Sequence, residues 1–237
     1  GSKQPLIWAH KGLEPVSALL PHEVAIEELS MSQQWGVLSG PSFAAELVRG
    51  LPTAVTLAAN DTAFSLEAAK LLHGGSLRVY SSADVIGVSV GGAVKNVMAI
   101  AAGISDGMGF GNNARAAMIT RGLAEITRFG VALGAKAETF MGLAGAGDLI
   151  LTCTGQYSRN REVGLQLASG QSLEAVLSGL GHVAEGVNTA REVMRRAEKI
   201  DVDMPITYEV NQALSAGKTA KEAVMDLLGR EQKPEDV

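Results

Sequence analysis

The rhythm of apolar and polar positions changes once along the chain. Up to about residue 83, short apolar runs stand between stretches of helical period. The runs are PLIWAH (5–10), WGVLSG (35–40), TAVTLAA (53–59) and LRVYSS (77–82), each the length of a buried strand. Between them, segments such as PHEVAIEELS and PSFAAELVRG repeat apolar residues at three and four, the period of a helix. Strands alternating with helices predict βαβ units and a largely parallel sheet. From about Asp84 onward only the helical period remains, over 84–104, 113–134, 137–143, 159–169, 172–178, 185–199, 205–216 and 219–228. Ser172 and Thr219 stand where helix caps belong, and Gly229 where a helix stops. The pattern therefore predicts a partial α/β domain over 1–83 and an all-helical domain over 84–237.

The α/β part is too small for a complete doubly wound domain, and no G-x-G-x-x-G turn follows its first strand. GMGFG (107–111) and GAGDLI (145–150) look like that turn, but neither follows a strand in a βαβ unit. The chain reads as one that begins partway through a fold. Its formal charge of −5 offers no basic field for a nucleic acid. Its one cysteine, Cys153, excludes an internal disulfide and suits a reducing cytoplasm. The most apolar window, GVSVGGAVKNVMAIAAGI (87–104), carries Lys95, Asn96 and several glycines, which make it a poor membrane span. The four histidines show no ligand spacing, so no metal is expected.

Lys95 is the first candidate for chemistry. On a helix, Gly91 and Gly92 lie one turn before it and Met98 and Ala99 one turn after, on a small apolar face. Two readings stay open. Lys95 snorkels its ammonium out to water, or it forms the floor of a pocket, its pKa drawn toward working pH as suits a proton donor and acceptor. In the second reading Gly91 and Gly92 leave room for a ligand to approach the backbone.

The second candidate is GLAGAGDLILTCTGQYSRNREVG (142–164). Asp148 follows a glycine-rich turn, and Ser158, Arg159, Asn160 and Arg161 open a helix ten residues later. Such a start either cradles a phosphate, through free N–H groups and a guanidinium, or is an ordinary capped helix with solvated arginines. Taken singly, an aspartate such as Asp148 is more often a loop-former than a catalyst. Third, HKGLEP (10–15) places Lys11 at the carboxyl end of a strand, where ligands bind in open α/β sheets. SGPSFAAEL (39–47) repeats the arrangement, with a Gly-Pro turn and a helix opening at Ser42. Convergence of these groups on one small anion favours a phosphorylated substrate over a metal.

These words, in order, strongly resemble the bacterial NAD(P)-dependent glycerol-3-phosphate dehydrogenases: KGLE, SGPSFAAEL, LPTAV, RVY, GVSVGGAVKNVMAIAAGISDGMGFGNNARAAMITRGLAEI, GLAGAGDLILTCTGQYSRNREVG and EGVNT…MPI. The resemblance implies part of a Rossmann-type domain followed by an all-α substrate domain, the layout of the 6-phosphogluconate dehydrogenase-like enzymes. It implies reversible reduction of dihydroxyacetone phosphate to sn-glycerol 3-phosphate for phospholipid synthesis, with NADPH or NADH, by a cytoplasmic homodimer. Lys95 resembles the catalytic proton acceptor and donor, with Asp148 orienting it. Lys11, Gly40, Ser42, Lys95, Asp148, Ser158, Arg159 and Asn160 resemble the substrate set, and Lys11, Ala44, Arg159, Val183 and Glu185 the cofactor contacts. Family members carry the glycine-rich turn in roughly a hundred residues ahead of this stretch, so the chain is expected to lack that half. His10 departs from the small or hydroxylated residue the family often has there. A non-catalytic phosphate-binding module or a dimerisation module remains the alternative, although VKN and SRN are hard to explain as packing.

Overall fold

The structure, a computed structural model, describes residues 4–30, 32–180, 184–232 and 234. Its strands are β1 (Leu6–Trp8), β2 (Trp35–Ser39), β3 (Thr53–Ala59) and β4 (Leu77–Ser82). The helices α1 (Pro21–Glu28), α2 (Ala44–Val48) and α3 (Thr62–Leu72) are threaded among them. The helices α4 (Val85–Gly107), α5 (Gly111–Ala132) and α6 (Ala137–Phe140) follow. A π-turn over Leu143–Gly147 leads into α7 (Asp148–Thr154). The rest is α8 (Arg159–Ala168), α9 (Leu173–Leu180), α10 (Glu185–Lys199), α11 (Pro205–Ser215) and α12 (Ala220–Leu228).

The strands lie in the order β1-β2-β3-β4. β1 pairs with β2 and β3 with β4 in parallel, but β2 and β3 are antiparallel, with Gly36 opposite Ala59. The expectation of a largely parallel sheet is corrected at that central pairing. A parallel crossover has to carry the chain back along a strand's whole length. Residues 40–52 join the two strands, and the one helix among them is the five-residue α2, too short to lie across the sheet as the crossover helix of a βαβ unit does.

One face of the sheet buries Val55, Leu57, Ala59 and Val79 under Phe64, Ala68 and Ala69 of α3. On the other, Trp8 and Trp35 stack with ring centroids 5.5 Å apart and pack with Val37 and Ala58 against Val85 and Val88 of α4. The first turns of α4 thus hold the sheet, and the remainder runs through the helical core, where Val94, Val97, Met98 and Ile100 are fully buried. By length and composition α4 could cross a membrane, yet nearly all of its apolar window is buried inside the fold.

The helix ends follow their local chemistry. Asp84 caps α4 by accepting from Gly87 N at 2.9 Å, and its other oxygen accepts from Lys136 N and Thr139 Oγ1. Ser172 and Thr219 accept from backbone N–H groups three residues on, and Gly229 follows α12, as the pattern predicts. Pro205 opens α11, whose free N–H groups at Ile206 and Thr207 are taken by buried Glu125 of α5 at 2.9 and 2.8 Å. The helical stretch expected over 137–143 ends at Phe140. The pattern did not show α7.

Candidate active site

Three separate elements bring three charges together. Lys95 lies mid-way along α4, Asp148 is the first residue of α7, and Lys11 follows β1 by three residues. One Asp148 carboxylate oxygen accepts from Lys95 Nζ, the other from Lys11 Nζ at 2.7 Å. Thr152, one turn along α7, accepts from Lys95 Nζ at 2.9 Å and donates to the Asp148 carbonyl at 2.6 Å. Asp148 is 1% exposed and Lys95 6%, so the ammonium does not snorkel. The Lys11 side chain, 17% exposed, marks the open side.

Burial pulls the Lys95 pKa down to about 8; Asp148 opposes that pull and Lys11 adds to it. Burial also pushes the neighbouring Cys153 thiol up to about 12, which leaves it inert. Two lysines and one aspartate leave one positive charge on the site, suited to an anionic ligand.

Gly91 and Gly92 serve closeness of another kind than expected. A Cβ on Gly91 would run into the Ala144 carbonyl oxygen, and one on Gly92 would meet Ser39 Oγ at 2.7 Å. The partners are the protein's own π-turn and the end of β2, where a ligand had been expected. Gly91 thereby lets the turn that presents Asp148 sit against α4.

The α8 start is both a cap and a cluster. Ser158 Oγ accepts from Arg161 N at 3.2 Å, and Asn160, buried, accepts on Oδ1 from Gly186 N at 2.9 Å. Asn96 donates to Glu185 Oε2 at 3.0 Å. The starts of α8 and α10 are thus tied to α4 one residue from Lys95. Arg159 is exposed, whereas Arg161 turns away to Asp106, which also takes Arg115. Gly40 directly follows β2 with φ +139°, a conformation that favours glycine. Ser42 does not open a helix: its hydroxyl donates to the Gly40 carbonyl at 3.0 Å, and α2 starts at Ala44, which is exposed. Val183 lies outside the described residues.

Thr152 is the residue that sequence reasoning missed. Its signal is the i, i+4 spacing from Asp148, visible only once 148–154 is recognised as a helix.

A small sheet packed on a helical bundle sets a buried lysine, hydrogen-bonded to an aspartate and a threonine, beside a cationic opening, an arrangement suited to acid–base chemistry on a small anion. The sequence matches the profile described as NAD-dependent glycerol-3-phosphate dehydrogenase C-terminus over residues 84–225, and the N-terminus profile of the same name over 1–65. A glycerol-3-phosphate dehydrogenase [NAD(P)+] from Methylobacillus flagellatus is 71% identical over 235 residues, which cover 99% of this chain and 71% of that protein. One from Nitrosospira multiformis is 60% identical over the same span. The crystal structure of glycerol-3-phosphate dehydrogenase from Coxiella burnetii superposes with a TM-score of 0.92 at 44% identity, over 97% of this chain and 70% of that one. The chain belongs to the NAD-dependent glycerol-3-phosphate dehydrogenase family.

Proposed function

We propose that the chain carries the substrate site and proton-transfer lysine of an NAD(P)-dependent glycerol-3-phosphate dehydrogenase, interconverting dihydroxyacetone phosphate and sn-glycerol 3-phosphate. The observation that carries this reading is the Lys95 ammonium. Of its three N–H donors, Asp148 and Thr152 take two. Among the described residues no acceptor takes the third, which is left for a substrate oxygen. In the reduction, Lys95 stabilises the negative charge developing on that oxygen and donates a proton to it; in the oxidation it takes the proton back. Asp148 and Thr152 fix the ammonium, and Lys11 adds positive charge at the mouth. The substrate phosphate is taken by Ser42 and Gly40 at the β2 end and by Ser158, Arg159 and Asn160 at the α8 start. With its Oδ1 occupied by Gly186 N, Asn160 presents its amide N–H donors.

The donor set also suits a dinucleotide. Lys11 and Arg159 are cationic and open to solvent, and Glu185 is a half-buried acceptor. Lys11, Ala44, Arg159, Val183 and Glu185 are the residues of this chain that would hold NADPH or NADH. When bound, the nicotinamide supplies the hydride to the substrate carbonyl carbon. Division into an α/β domain over 1–83 and a helical domain over 84–237, a homodimer, a cytoplasmic location and no stable membrane association complete the proposal.

The test is dihydroxyacetone phosphate-dependent NADPH oxidation by the enzyme beside a Lys95→Ala variant. The expected loss in kcat is roughly 10²- to 10⁴-fold, with glycerol 3-phosphate binding retained. A variant that turns over at the parent rate overturns the assignment.

A further inference from the structure

The loop that follows β2 straddles α7. Pro41 packs at the front of that helix, with Cγ 3.6 Å from where a Cβ on Gly147 would sit, one residue before Asp148. Phe43 packs at the back. A Cβ on Gly155, the residue after α7, would overlap the Phe43 ring. The Gly155 backbone is extended (φ −76°, ψ 141°), a conformation open to any residue. Glycine there supplies space, and much of that space holds the Phe43 ring.

Beyond Gly155, Phe43 meets Tyr157 edge-on, with ring centroids 5.7 Å apart and an interplanar angle of 75°. This is the favourable geometry for two aromatic rings. Tyr157 is 42% exposed, so the contact is a bridge between two loops at the surface, with no core to fill. Its position in the sequence is what matters. Phe43 directly follows Ser42, and Tyr157 directly precedes Ser158. One aromatic contact thus joins the two loops that carry the proposed phosphate ligands, at the neighbouring residue on each side.

We infer that Phe43 and Tyr157 are positioning residues whose edge-to-face contact fixes the gap between the β2 loop and the start of α8, and with it the fit of the substrate phosphate. The inference rests on the substrate reading given above. It separates the phosphate end of the substrate from the reacting end, which Lys95, Asp148 and Thr152 address from α4 and α7. Loosening the clasp weakens the grip on phosphate and leaves proton transfer in place.

The experiment is steady-state kinetics of the enzyme with Phe43→Leu, Tyr157→Ala, Tyr157→Phe and the Phe43→Leu/Tyr157→Ala double variant. Each is assayed with dihydroxyacetone phosphate and, at high concentration, with dihydroxyacetone, which has no phosphate. Phe43→Leu and Tyr157→Ala should each raise KM for dihydroxyacetone phosphate by roughly three- to tenfold, with kcat unchanged. The double variant should be no worse than the poorer single one, because both remove the same contact. Tyr157→Phe keeps the ring and should match the parent, and activity on dihydroxyacetone should not change in any variant. An unmoved KM in Tyr157→Ala overturns the clasp, and so does a parallel fall in dihydroxyacetone activity or a Tyr157→Phe as impaired as Tyr157→Ala. A parent enzyme that ignores dihydroxyacetone phosphate instead overturns the substrate reading itself, a result that cannot be mistaken for the others.

Discussion

At the scale of single residues, Lys95 shows how a buried charge is made useful. Removing an ammonium from water costs several kcal/mol unless partners replace the lost hydrogen bonds. Asp148 and Thr152 do so while leaving one donor uncommitted. Lys95 was legible in the sequence because a charged residue amid GVSVGGAVKNVMAIAAGI conflicts with its surroundings, and such conflicts mark functional sites. Thr152 was not legible, since a threonine in LILTCT fits an apolar run without conflict. Its role can be tested directly. Thr152→Val keeps shape and removes the acceptor, leaving a Lys95 N–H unpaired, which should lower kcat by roughly 5- to 150-fold, the equivalent of about 1–3 kcal/mol. Thr152→Ser should restore most of it, and kinetics of the two variants side by side decide the point.

At the scale of elements, helix existence was largely written in the apolar period, and caps at Ser172 and Thr219 fell where their chemistry places them. The region 141–154 was hidden. Its glycines at 142, 145 and 147 suggest a loop, yet they form the π-turn that lets α7 start against α4. That packing is a tertiary property, and no local pattern encodes it. The role of Glu125 was hidden for a similar reason. It lies on α5, 81 residues before the N–H group of Ile206 that it serves. Burial pushes its carboxyl up, while donors from Ile206 and Thr207 pull it back. Glu125→Ala should leave those helix-start groups without a partner and cost about 2 kcal/mol, a fall in Tm of roughly 4–8 °C for a chain of this size. Thermal unfolding followed by circular dichroism reads it, and Glu125→Gln, which retains an acceptor, should fall between the variant and the parent.

At the scale of the whole molecule, the site exists only because the sheet, α4 and α7 meet. Strand positions were legible from short apolar runs, but the direction of the central pairing was not, since PSFAAELVRG has the period of a longer helix than the five-residue α2 that forms there. The meeting of elements also sets the chemistry. Burial within α4's surroundings lowers the Lys95 pKa to about 8, Asp148 from α7 holds it from falling further, and Lys11 from the sheet side pushes it down. The pH dependence of turnover therefore reports on the assembled site. With Lys95 as the proposed proton donor, reduction of dihydroxyacetone phosphate uses the protonated lysine, so kcat/KM should hold below pH 8 and fall above it, about tenfold per pH unit. On the same proposal, oxidation of glycerol 3-phosphate uses the neutral amine and should rise toward a plateau above pH 8. Asp148→Asn removes the largest influence that keeps the proton on Lys95, so the falling limb should move to lower pH. The measurement to make is kcat/KM for dihydroxyacetone phosphate reduction from pH 6 to 10, in the parent enzyme and in Asp148→Asn. A limb near 8 that shifts down in the variant is the predicted result; a rate that climbs through pH 8, or a limb indifferent to Asp148, would contradict Lys95 as the proton donor.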